Sequence, residues 1–132
     1  MADSDPFRLN LVLAWLLILL TFITGGLTGL NFKFFSKEWL GGYSGLRRRM
    51  YRLGHVSLFA LGMVNLVFYF TAREMGTTGL PLQWASAGYV LGALTMPSCC
   101  YLMAHYPALK GLFYIPTLSL IMAGIFTIWG LL

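Results

Sequence analysis

Apolar residues along this chain are gathered into four long runs and are not spread at the three-to-four spacing of an amphipathic helix. Residues 9–30 and 53–72 carry no charged side chain, a third uncharged stretch reaches from Met75 to Leu109, and a fourth runs from Gly111 to Leu132. A helix needs about 20 apolar residues to cross a hydrocarbon core ~30 Å thick. The pattern therefore predicts four transmembrane helices, over residues 9–30, 53–72, 81–105 and 111–132, the third placed by the usual length of a span. The expected fold class is an all-α membrane protein, a single domain over residues 1–132.

The connections refine this picture. Those between the second, third and fourth runs are short, which makes these spans antiparallel neighbours in an up-down bundle. The first connection is longer. Its part from Asn31 to Leu40 mixes aromatics with lysines, as expected of an interfacial segment. Gly41, Gly42 and Gly45 then interrupt helical order, and Ser44 is placed to cap a helix that starts near Leu46 and continues through an arginine cluster into the second span. Gly25-x-x-x-Gly29 and Gly88-x-x-x-Gly92 have the spacing that lets helix backbones approach closely. Pro97 removes a backbone donor and is expected to kink the third helix.

Only 10% of the residues are charged, and the net charge of +5 is concentrated at one end of the spans. Lys33, Lys37, Arg47, Arg48, Arg49, Arg52 and Lys110 lie on that side, against Arg8 and Arg73 on the other. The positive-inside rule puts the basic side in the cytoplasm of a bacterial-type inner membrane and both termini on the outer, periplasmic side. The cluster at Arg47, Arg48, Arg49 and Arg52 is thus a topology signal and a contact for anionic lipid headgroups, not a nucleic-acid site. The first run is expected to be a retained helix, since it is too long for a signal h-region and is preceded by Asp3 and Asp5 instead of a basic segment.

With the spans free of Asp, Glu, Lys and Arg, candidate chemistry narrows to the two histidines. His55 follows Arg52 by three residues, which places it ~4–5 Å inside the edge of the second helix. His105 precedes Lys110 by five, and the antiparallel course of the two helices brings both to one depth. Two neutral imidazoles can fill the axial positions of a b-type haem. One heptad deeper lie Gly62 and Ser98, both small, with Phe59 and Tyr101 on the same faces. Propionates would then meet Arg47, Arg48, Arg49, Arg52 and Lys110. This plan resembles, in architecture only, that of four-helix membrane cytochromes b, and a single pair would serve one bis-histidine haem.

Other readings of these residues stand beside it. An interfacial histidine also serves to hydrogen-bond a helix end, a lipid phosphate or water. Met96, Cys99, Cys100 and Met103 offer soft donors suited to Cu(I), although a methionine stripe at helical spacing is more often packing. Asn65, deep in the second span, is expected to hydrogen-bond a neighbouring helix.

Several function classes are excluded by what is missing. No intramembrane carboxylate is present for proton pumping or cation coupling. No HExxH, paired aspartates or Ser–His–acid set points to a protease, and too few polar residues exist to line a transport path. The expected function is that of a small membrane subunit without independent catalysis. It is either a binder of one haem b between the second and third helices for electron transfer, or a haem-free accessory subunit on a larger respiratory or photosynthetic complex.

Overall fold

A computed structural model describes residues 5–30 and 45–132. Its helices are α1 (Arg8–Gly29), α2 (Leu46–Met75), α3 (Leu80–His105) and α4 (Tyr114–Leu131); the first three, and α4 together with the turn that leads into it from Pro107, are long and apolar enough to cross a membrane. The interfacial segment expected from Asn31 to Leu40 and the cap expected at Ser44 lie outside the described residues.

α2 spans 30 residues, or about 45 Å, well beyond the hydrocarbon core. Its first turns, which carry Arg47, Arg48, Arg49 and Arg52, are therefore a helical extension of the span. The helix stops at Gly76, whose φ of 60° is the left-handed conformation that glycine adopts without Cβ strain. After three intervening residues α3 begins at Leu80, with Pro81 in its first turn, where a missing N–H costs nothing. After His105 the chain makes a 3-10 turn over Pro107–Phe113 before α4 starts, so the fourth helix begins three residues later than its apolar run. Pro116, in the first turn of α4, cannot donate to the Leu112 carbonyl, which instead accepts a bond of 3.6 Å from the Cys99 thiol.

Three sets of contacts establish that successive helices are antiparallel. Asn10 of α1 meets Asn65 of α2, and Thr24, further along α1, meets His55, earlier on α2. Gly54 of α2 lies against Tyr101 of α3, and Asn65, further along α2, bonds the carbonyl of Tyr89, earlier on α3. On α3, Leu82 faces Gly130 of α4, and Gly88 faces Ala123. α1 packs on α2, α2 on α3 and α3 on α4, with a lesser contact between α1 and α3. The helices thus form a folded row, with α4 held chiefly by α3. Only Pro116 and Ala123 of α4 are buried.

The core has two apolar clusters. Leu13, Leu17, Leu58, Leu61 and Ala93 form one, and Phe7, Phe68, Tyr69, Ala72, Leu82 and Ala85 form the other, towards the end bearing the N-terminus. Phe7 precedes α1 and meets Phe68 edge-on with ring centroids 5.6 Å apart. Gly88 and Gly92 do what their spacing predicts. A Cβ at Gly88 would lie 2.8 Å from Ala123 Cβ, and one at Gly92 would strike Leu120, so their absence brings α4 close to α3. In the first glycine pair, Gly25 abuts His55 and Gly29 meets nothing within 4 Å.

Candidate functional site

Two groups of polar side chains join neighbouring helices. Towards the basic end, His55 turns to α1. Its Nδ1 is 2.7 Å from Thr24 Oγ1, and a Cβ on Gly25 would lie 3.2 Å from its Cε1. A glycine at this position is what allows the imidazole to lie against α1. Thr24 also sends its hydroxyl towards the Leu20 carbonyl at 2.9 Å, a back-bond that competes for the same proton.

His105, the last residue of α3, turns to α2. Its Nε2 is 2.8 Å from the Tyr51 hydroxyl, and Tyr51 stacks edge-on with both His105 and Tyr101, at centroid separations of 5.8 and 5.3 Å. Tyr101 in turn occupies the space that Gly54 leaves open, 2.9 Å from where a Cβ would be. Arg47 Nε donates to the Ala104 carbonyl at 3.5 Å, one of the carbonyls left open at the end of α3. Arg48, Arg49 and Arg52 follow on the same helical extension.

The two histidines thus bond to different partners on different helices, one on α1 and one on α2. The residues one heptad deeper diverge as well. Gly62 faces α1, where a Cβ would meet the Ala14 carbonyl at 3.1 Å and Leu17 Cβ at 3.3 Å. Ser98 lies on the outer surface of α3 and returns its hydroxyl to the Leu94 carbonyl at 2.6 Å. Phe59 is 46% exposed, apart from Tyr101 in its α2–α3 contact. As packed, the two imidazoles turn to different helices, and the space beneath His55 at Gly62 is filled by α1.

The sulfur donors do not converge either. Cys99 is engaged with the turn before α4, and Cys100 is buried against α2 at Gly54. Met96 packs against the Leu13–Leu58 cluster. Among the described residues no group of three His, Cys, Asp or Glu is placed to hold a metal ion.

The second polar group is a three-helix knot. Asn10 and Asn65 have no exposed surface. Asn10 Nδ2 donates to Asn65 Oδ1 at 2.9 Å and to the Ser86 carbonyl at 3.4 Å, and the Ser86 hydroxyl donates to Asn10 Oδ1. Asn65 Nδ2 donates to the Leu61 carbonyl at 2.9 Å and to the Tyr89 carbonyl at 3.5 Å. The bond expected of Asn65 therefore reaches both α1 and α3. Its partner Asn10 is not apparent from the pattern, since it sits at the margin of the first apolar run. Among the described residues no buried side-chain nitrogen or oxygen lacks a hydrogen-bond partner.

Above the knot, the Tyr69 hydroxyl donates to Asp5 Oδ2 at 2.8 Å, and Asp5 Oδ1 accepts from the Phe7 amide at 3.0 Å. This fastens the segment before α1 to α2. No known protein family, curated protein or solved structure matches the chain.

Proposed function

We propose that this chain is a haem-free integral membrane subunit, without catalysis of its own, that packs against a larger membrane complex. The observation that carries this reading is how the embedded polar groups are spent. Asn10, Asn65 and Ser86 bond one another, and His55 bonds Thr24, so these groups hold helices together and face no conduit. The outer helices of the row add support. α1 presents Trp15, Leu19 and Phe22, and α4 presents Ile121, Ile125 and Trp129, all about half exposed or more. By the distribution of lysine and arginine, the end with Arg47, Arg48, Arg49, Arg52 and Lys110 is cytoplasmic.

The test is purification from membranes in mild detergent, with an absorption spectrum before and after dithionite and a native-gel mass. A colourless chain migrating in an assembly much larger than 14.7 kDa is the expected result. Sharp reduced Soret and α bands, lost in both His55→Ala and His105→Ala, would overturn it in favour of a haem b electron-transfer subunit. A colourless monomer in the mildest detergents would remove the accessory role.

A further inference from the structure

At the end of the bundle opposite the basic cluster, a cavity of about 550 Å³ opens between the segment before α1, the end of α2 and the start of α3. Its walls include Asp5, Phe7, Arg73, Thr77, Thr78 and Gln83. The volume is in the range of small-ligand sites. Its level is set by the helices around it, because α1 begins at Arg8, α3 begins at Leu80, and the apolar run of α2 ends at Ala72. It therefore lies at the headgroup layer of the bilayer.

Two opposite charges face this cavity without neutralising each other. The Asp5 carboxylate is held in place by the Phe7 amide and the Tyr69 hydroxyl, which use two of about four acceptor positions. The Arg73 guanidinium makes no hydrogen bond or ion pair among the described residues. The Gln83 amide is tied to the Thr78 carbonyl at 2.8 Å and Thr77 Oγ1 to the Gly79 amide at 3.3 Å, so the α2–α3 turn is braced around the opening. Leu80 and Trp84, 65% and 58% exposed on the first turns of α3, supply apolar surface and an interfacial aromatic next to it.

We infer that this cavity binds the headgroup of a zwitterionic phospholipid with a primary amine, its phosphate on Arg73 and its ammonium on Asp5. A guanidinium suits a phosphate by its paired donors. A carboxylate discriminates a primary ammonium, which can donate hydrogen bonds, from a quaternary one, which cannot. The alternative recognition of choline uses a cage of aromatic rings, and among the described residues Phe7 is the one aromatic side chain in the cavity walls. A purely anionic headgroup would leave Asp5 opposed to like charge.

Native mass spectrometry of the full chain from micelles doped with equal phosphatidylethanolamine, phosphatidylcholine and phosphatidylglycerol tests this. Retention of one phosphatidylethanolamine, favoured about tenfold over the other two, is expected. Arg73→Gln should lose the bound lipid. Asp5→Asn keeps acceptors for Tyr69 and should retain lipid while losing the preference for the primary amine. Arg8→Gln, at the same end but outside the cavity, should change neither. Unchanged retention in Arg73→Gln, equal loss in Arg8→Gln, or equal binding of all three lipids overturns the inference. Soluble glycerophosphoethanolamine is expected not to displace the lipid at millimolar concentration, and displacement there would overturn a lipid as the source of the headgroup. Unaltered helical circular dichroism in each variant separates lost binding from lost fold.

Discussion

Asn10 donates a 2.9 Å hydrogen bond to Asn65 with neither side chain exposed, and together they tie α1 to α2 and α3. Interhelical bonds in a membrane contribute about 0.6 kcal/mol on average, whereas a buried polar group left without its partner costs about 1–3 kcal/mol. Asn65→Leu is therefore expected to lower stability by roughly 1–3 kcal/mol, read from denaturant titration in micelles. Asn10→Leu should do the same. The double variant should recover part of the loss, because both orphaned groups are gone. Simple additivity of the two losses would show that the bond between them carries no coupling.

The close approach of α4 to α3 rests on glycine. Gly88→Ala would put a methyl 2.8 Å from Ala123 Cβ and 3.0 Å from the Ser119 carbonyl, whose residue also donates its hydroxyl to the Gly88 carbonyl at 2.7 Å. Overpacking of this kind costs about 1–3 kcal/mol. Since α4 is held mainly by α3, the expected sign is earlier protease cleavage in the 107–113 turn together with a lower melting temperature. Gly26→Ala is the matched control, because nothing lies within 4 Å of the added methyl, and it should be neutral or slightly stabilising.

His55 and Thr24 form a cross-helix pair at 2.7 Å. A double-mutant cycle with Thr24→Val and His55→Ala should give a coupling of about 0.5–1.5 kcal/mol. The same cycle between His55→Ala and His105→Ala should give a value near zero, because the two residues bond to different helices. Strong coupling between the histidines would show that they act on one object, as iron ligands would.

Phe7 fastens the segment before α1. It is 3% exposed against Phe68, and Asp5 beside it accepts from Tyr69. Phe7→Ala should destabilise by about 3 kcal/mol, the usual cost of emptying a buried aromatic site. Tyr69→Phe, which removes one hydrogen bond and keeps the ring, should cost about 1 kcal/mol. Proteolysis of residues 5–7 in intact micelles reads both, and the order of the two effects is the discriminating result.

Helix number and the long basic extension of α2 were legible in the residues themselves. A span is a local property, set by uninterrupted apolar length, and its ends are marked by Gly76, Pro81 and the charged residues around them. The Gly88–Gly92 contact was legible for a related reason, since small residues at four-residue spacing permit a close neighbour, although Gly25 and Gly29 show that they do not require one. A fixed rise per residue put His55 and His105 near one level, but the residue of α2 that meets His105 is Tyr51, one turn before His55. Rotation about each helix axis was not legible. Nearly uniform apolarity leaves no polar stripe to say which side faces inward. That rotation turned His55 to α1 and His105 to Tyr51, placed Gly62 against Ala14, and left Ser98 on the outside. It also joined Asn10 to Asn65, residues 55 apart in sequence. The sequence by itself determined how many apolar helices there are and roughly where each lies along the chain. Only tertiary packing decided which polar groups meet, because that depends on how side chains of separate helices interlock and not on spacing within any one of them.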